Sequence, residues 1–153
     1  MRVYLAGPEV FLAEAASIAA AKKAICARLG LEGVFPTDYH PDTPGHPEEH
    51  WQIYAQNETH LRGCDALIAN LTPFRGPSAD TGTAFELGFM RALGRPVFGY
   101  AHTAGDFAQR TLAALGPRIR RRPDGVWEDE EGMAGEGFGL GGDLVLDGGT
   151  RAS

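Results

Sequence analysis

Asp80 and Glu86 lie in the segment Asp80-Thr81-Gly82-Thr83-Ala84-Phe85-Glu86-Leu87-Gly88, and these two carboxylates carry the strongest chemical signal in the chain. A helix that starts here has both near its N-terminal end. Glu86 then lies in the first turn or so, where unpaired backbone N–H groups and the helix dipole favour an ionised side chain. An ionised Glu beside a ligand cleft is a competent nucleophile. The same residues also spell Thr83-x-x-Glu86, a capping box in which the Glu side chain merely returns to the cap's backbone N–H. Spacing alone supports both readings. Gly82 and Gly88 weigh toward a site, because glycine costs helix stability and is usually excused by close packing or by a ligand.

Other chemistry-bearing residues gather in segments that follow apolar runs. Gly7-Pro8-Glu9 permits close backbone approach to a ligand at Gly7 and Pro8, but it is not the GxGxxG of a dinucleotide site, and GxxxxGK[ST] is absent. His46-Pro47-Glu48-Glu49-His50 formally matches H-x-x-E-H. A zinc site of that kind needs both His on one helical face, and Pro47 at the first helical position leaves His46 outside, so no metal is expected. His40, in a loop rich in Pro, Asp and Thr, is the histidine best placed to touch a ligand. Cys26 and Cys64 have no CxxC spacing and read as two buried thiols.

The elements that must position these groups follow from periodicity and punctuation. Strands are expected at Arg2–Ala6, Val34–Phe35, Ala66–Ala69 and Val97–Tyr100, and helices at about Phe11–Leu29, Pro47–Arg62 and Gly82–Leu93, with Gly30 and Gly94 as stops. Ala66-Leu67-Ile68-Ala69 is a short, continuous apolar run, as in a central strand buried on both faces. Alternating strands and helices predict right-handed crossovers and an α/β fold with a doubly wound open parallel sheet, flavodoxin-like or Rossmann-like. In such a sheet ligands bind at the carboxyl ends of the strands, which directs attention to the segments after the first three strands. A short helix is expected at Asp106–Leu115 and a strand at Leu144–Leu146. The Arg run 120–122 and the acidic run 128–131 read as solvated faces.

At 153 residues the chain reads as one domain, 1–153, with a Gly-rich C-terminal segment at 129–153. A formal charge of −6 leaves no electrostatic footprint for nucleic acid, and no apolar run is long enough to span a membrane. The opening MRVYLAGPEV is too short for a secretory core, so the expected address is cytoplasmic.

Tyr4-Leu5-Ala6-Gly7-Pro8, then Asn57 ahead of Cys64-Asp65, then Asn70 through Gly88 resemble the nucleoside 2-deoxyribosyltransferases, over roughly residues 1–100. The resemblance implies that Glu86 attacks the anomeric carbon, that Tyr4 orients it, and that Asp80 faces the base. It implies substrates that are nucleosides and free bases, a role in purine salvage, and no metal or organic cofactor. Gly7, Pro8, His40, Asn57 and Gly82 are the expected substrate contacts. Some members carry Asp where this chain has Asn57, and Asn can hydrogen-bond a base without protonating it. Members often reach a neighbouring subunit's site with an Asn-Leu pair that binds the sugar 5′-hydroxyl; here the similar stretch is Gly142-Asp143-Leu144. A homo-oligomer with sites near subunit interfaces is therefore expected. Two rivals stay open: a related nucleoside 5′-monophosphate N-glycosidase that gives the intermediate to water, and a nucleotide-sensing module without turnover.

Overall fold

The computed structural model describes residues 1–38, 47–103 and 105–150. Its frame is four parallel strands, β1 (Arg2–Ala6), β2 (Glu32–Val34), β3 (Ala66–Asn70) and β4 (Val97–Tyr100), in the order β2-β1-β3-β4. Helices α1 (Ala15–Arg28), α2 (Glu49–Arg62) and α3 (Thr81–Ala92) connect them in turn. Tyr4 pairs with Val34 on one side and Leu67 on the other, so β1 and β3 form the centre and the strand order reverses between them.

The alternation of side chains along a strand builds two cores. Val3 and Leu5 point to one face, where they pack with Ala66, Phe35 and the α1 residues Ala19 and Cys26. Tyr4 and Ala6 point to the other, against Leu67, Ala69, Leu61 of α2 and Leu87 and Met90 of α3. Burying a side chain such as Leu67, with no exposed surface, contributes about 1.5–3 kcal/mol. This sandwiching explains why β3 lacks polar alternation. It is the doubly wound α/β arrangement expected from the sequence.

Helix ends follow their glycines. Gly30 (φ 72°) and Gly94 (φ 70°) each take the left-handed conformation, and the residue after each donates back to a carbonyl five positions earlier, Leu31 to Cys26 at 2.9 Å and Arg95 to Met90 at 3.0 Å. The first helix is shorter than its composition predicts, because Pro8–Phe11 form a separate 3-10 turn and the α-helix begins only at Ala15.

Two expectations need correction beyond β4. Leu144–Leu146 is not a strand but the start of helix α5 (Leu144–Gly149), nucleated when Asp143 accepts a hydrogen bond from Val145 N–H at 2.9 Å. Leu146 packs on the core beside Leu87, and a Cβ at Gly149 would lie 3.0 Å from Leu87, whereas Val145 is 76% exposed. That i, i+3 contact is helical. The arginine run and the end of the acidic run are exposed, as expected, but the two runs also pair: β5 (Ile119–Arg121) and β6 (Trp127–Asp129) form an antiparallel hairpin, and Glu128 pairs with Arg120 at 2.6 Å and Arg122 at 3.7 Å. Helix α2 begins at Glu49, two residues later than expected. Helix α4 (Phe107–Leu115) forms as expected, and its Arg110 donates to the carbonyls of Pro77, Gly105 and Gly141, which ties the Gly-rich segment to the loop between β3 and α3.

Candidate active site

Helix α3 begins where Asp80 takes an extended conformation and its Oδ2 accepts hydrogen bonds from Thr83 N–H at 2.8 Å and Thr83 Oγ1 at 3.0 Å. Asp80 is therefore the cap, and Thr83 is its partner. The capping-box reading, with Thr83 as cap and Glu86 as closing residue, does not describe the helix. Glu86 lies in the second turn rather than the first, beyond the unpaired N–H groups, and its hydrogen-bonding partner comes from another element. The Oη of Tyr4, a fully buried residue of β1, donates to Glu86 Oε1 at 2.7 Å.

This setting reverses the expected electrostatics. Burial pushes the Glu86 carboxyl up to about 7, against the lowering effect of the Tyr4 hydrogen bond and with a further rise from the Asp80 charge. Tyr4 is itself pushed far above the ordinary tyrosine value, first by burial and then by Glu86, so its hydroxyl is a permanent donor. The pair has the form of an activated carboxylate near neutrality, beside a carboxylate of like sign.

Glu86 opens onto a cavity of about 250 Å³ between α2 and α3, lined by Asn57, Gly82, Ile53, Tyr54 and Phe85. Asn57 Oδ1 is buried there without a hydrogen-bond partner among the described residues. Two of the cavity's walls, Tyr54 and Phe85, belong to a run of rings: Trp51 and Tyr54 at 6.3 Å, Tyr54 and Phe85 at 6.4 Å, Phe85 and Phe89 at 6.3 Å. Trp51 is 63% and Phe85 55% exposed. The cavity thus sets apolar walls beside the polar groups of His50, Asn57, Glu58 and Glu86, a composition suited to a small molecule.

The structure brings Tyr4, Asn57, Gly82 and Glu86 together, with Asp80 near enough to act on the Glu86 charge. Gly7 is extended, and a Cβ there would meet Glu9 Oε2 at 2.1 Å, so its missing side chain makes room for the chain's own carboxylate. Pro8 lines a different cavity, of about 380 Å³, with Glu9, Lys22, Asn70 and Tyr100. Asp143 caps α5 and does not line the Glu86 cavity of its own chain. His40 and His46 lie outside the described residues. His50 Nδ1 sits 3.0 Å from the Pro47 carbonyl. Gly88, invoked above for close packing, is exposed with nothing within 4 Å of its would-be Cβ. Among the described residues no three His, Cys, Asp or Glu side chains are grouped as a metal would need. Cys26 and Cys64 are buried free thiols, and burial pushes Cys64 up to about 11.

Sequence reasoning missed the pairing of Glu9 with Lys22. Glu9 Oε1 accepts from Lys22 Nζ at 2.5 Å and from Asn70 Nδ2 at 2.7 Å. Burial alone would raise the Glu9 carboxyl and lower the Lys22 ammonium; their mutual hydrogen bond, with Asn70 helping Glu9, prevails and holds both charged. A signal existed. Ala19, Lys22 and Cys26 fall on one helical stripe, so a lysine on the buried face of α1 requires an anion.

The sequence profile of the nucleoside 2-deoxyribosyltransferases matches residues 3–145. The chain belongs to that family. A Schizosaccharomyces pombe protein of uncharacterized function is 34% identical over 151 residues, covering 89% of this chain and 71% of that protein. A 2-deoxyribosyltransferase from Leishmania mexicana superposes with a TM-score of 0.73 at 28% identity, covering 98% of this chain and 87% of that one. A 2-deoxyribosyltransferase from Bacillus psychrosaccharolyticus shares the fold, with a TM-score of 0.59 at 23% identity over 74% of this chain and 82% of the other. Membership makes this a glycosyl-transferring enzyme family, and the four-stranded parallel sheet flanked by helices is its fold. No helix among the described residues is long and apolar enough to cross a membrane.

Proposed function

We propose that this family member exchanges the base of a 2′-deoxynucleoside by two displacements at C1′, with Glu86 as the nucleophile. The carrying observation is the 2.7 Å hydrogen bond from buried Tyr4 to Glu86 at the wall of a base-sized cavity. In the first step a Glu86 carboxylate oxygen forms a bond to C1′ as the C1′–N bond breaks, and the bonding pair leaves on the base nitrogen. Tyr4 holds the other oxygen, which orients the nucleophile. Asp80, with Oδ2 held by Thr83, manages the proton of the departing base directly or through water. In the second step the nitrogen of an incoming base attacks C1′, the ester C–O bond breaks, Glu86 regains its electron pair, and Asp80 or water takes the proton. Configuration is retained.

Asn57 binds the base without protonating it, with Gly82 beside it in the same cavity and His40 completing the contacts, whereas Gly7 and Pro8, turned toward Glu9 and the second cavity, take no part. Asp143, held away from the Glu86 cavity of its own chain, serves a neighbouring copy and accepts the 5′-hydroxyl proton there, so the enzyme works as a homo-oligomer. A carboxylate at that point favours free nucleosides, because like charges ~4 Å apart cost on the order of 4 kcal/mol at an effective dielectric near 20. The rival anchor for a phosphate, Arg75, is engaged elsewhere: its guanidinium lies 4.6 Å from the Phe74 ring centre and 5.1 Å from that of Phe11. The chemistry requires neither metal nor organic cofactor, and the whole chain, Gly-rich segment included, acts as one domain in cytoplasmic purine salvage.

The test supplies deoxyadenosine with and without a second free base and follows both products. Base exchange is the expected result. Hydrolysis alone identifies the N-glycosidase chemistry instead, and no cleavage leaves a sensing module.

A further inference from the structure

Glu9 stands apart from the groups used above. It is a charged side chain only 8% exposed, on the face of the sheet opposite Glu86, and one of its oxygens gathers groups from three elements. Oε1 accepts from Lys22 of α1 at 2.5 Å, from Asn70 at the end of β3 at 2.7 Å and, more weakly, from Tyr100 at the end of β4 at 3.4 Å. Lys22 is further enclosed by rings, its Nζ 5.6 Å from the Tyr100 centroid and 6.0 Å from that of Phe35. Oε2 has no partner among the described residues and lies over Gly7, where a Cβ would be 2.1 Å away.

The network continues from Asn70. Asn70 Oδ1 accepts from Thr72 N–H at 3.0 Å and from Thr72 Oγ1 at 2.5 Å, and Thr72 Oγ1 in turn accepts from His102 N–H at 3.0 Å. The carboxyl ends of β1, β3 and β4, and the loop that leads to Asp80, are thereby joined at one buried amide. A buried ion pair is weak evidence for stability, since apolar side chains of similar volume often serve as well. Its position is more informative. Tyr4 lies on β1 and Glu86 on α3, so their hydrogen bond depends on how the turn after β1 is set against the loop before α3. Asn70 connects those two segments.

We propose that Glu9 is a positioning residue for the Tyr4–Glu86 pair: backed by Lys22, it anchors Asn70 and so fixes the turn at Gly7 and the loop running to Asp80. The inference rests on the reading of Glu86 as the nucleophile. Misplacement of reacting groups by about 1 Å can cost on the order of 100-fold in rate. Loss of Glu9 alone would leave a buried lysine unpaired and could unfold the protein, so the test compares two double variants that both lack the ion pair. Glu9→Gln with Lys22→Met keeps an acceptor for Asn70; Glu9→Ala with Lys22→Met removes it.

The measurement is kcat and KM for cleavage of deoxyadenosine, with a second base present, alongside Tm. The expected result is a kcat about 10- to 100-fold lower for the Ala/Met variant with KM little changed, and a kcat near wild type for the Gln/Met variant. Equal and undiminished kcat in both variants would overturn the positioning role while leaving the nucleophile reading intact. Equal loss in both would show that the charge pair and not the Asn70 anchor matters, and would also overturn it. A wild-type protein inert toward the donor would instead remove the reading of Glu86 and this proposal together.

Discussion

Replacing Tyr4 by Phe removes one oxygen from a fully buried site and leaves Glu86 Oε1 without its 2.7 Å donor. That donor lowers the Glu86 pKa from what burial and Asp80 would otherwise impose, and the balance stands at about 7. A hydrogen bond to a charged group contributes about 1.5–3 kcal/mol, and one pKa unit corresponds to about 1.36 kcal/mol, so the variant's Glu86 should titrate ~1–2 units higher. Only the ionised carboxylate attacks, so activity falls as the pH drops through the pKa. At pH 7 the ionised fraction declines from about one half to roughly 1–10%, a ~5- to 50-fold loss from ionisation alone. The assay is kcat/KM against pH, which reports the free enzyme. Wild type should show an acid limb centred near pH 7, and Tyr4→Phe the same limb displaced to higher pH, with activity partly regained in alkali. An unmoved limb, or one displaced to lower pH, would refute the argument that Tyr4 sets the ionisation of Glu86.

Glu86→Gln should stabilise the fold at alkaline pH. The folded carboxyl binds its proton more tightly than the unfolded one, so stability associated with protonated Glu86 is present below about pH 4.5 and lost as pH rises through about 7. The gain in the variant is at most about 3 kcal/mol at pH 8 and vanishes at pH 4, and Tm measured at both values checks it. Gly7→Ala should destabilise by about 1–3 kcal/mol by overpacking, since its Cβ falls 2.1 Å from Glu9 Oε2 and 2.9 Å from Asn70 Cβ; an unchanged Tm would contradict that geometry. Deoxyadenosine should be cleaved faster than its 5′-monophosphate, in a direct comparison of the two donors. A preference for the monophosphate without base exchange would favour the hydrolase.

Much of this architecture was legible from the chain. Gly30 and Gly94 stop their helices because only a residue at ease with positive φ closes those ends, and the apolar run at Ala66–Ala69 reads as a central strand because both its faces are covered. The Tyr4–Glu86 contact was reachable only through family resemblance: it links residues 82 positions apart, and no local pattern encodes it. Local pattern misled at α3, where Thr83-x-x-Glu86 imitates a capping box although Asp80 is the better cap. At Leu144–Leu146 three apolar residues fit strand or helix equally, and Asp143 decided for helix. The helical stripe of Ala19, Lys22 and Cys26 marks Lys22 as needing an anion, but nothing local names Glu9, 13 positions earlier, as that anion until α1 is folded against the sheet.

The proposal that Glu86 carries the deoxyribosyl group between bases has a direct test. Protein mixed with deoxyadenosine alone, quenched rapidly and digested, can be examined by mass spectrometry for a deoxyribosyl adduct. An adduct is expected on the peptide containing Glu86, discharged when a second base is added before quenching, with neither adduct nor exchange in Glu86→Ala. Base exchange by Glu86→Ala at the wild-type rate, or an adduct on another residue, would contradict it.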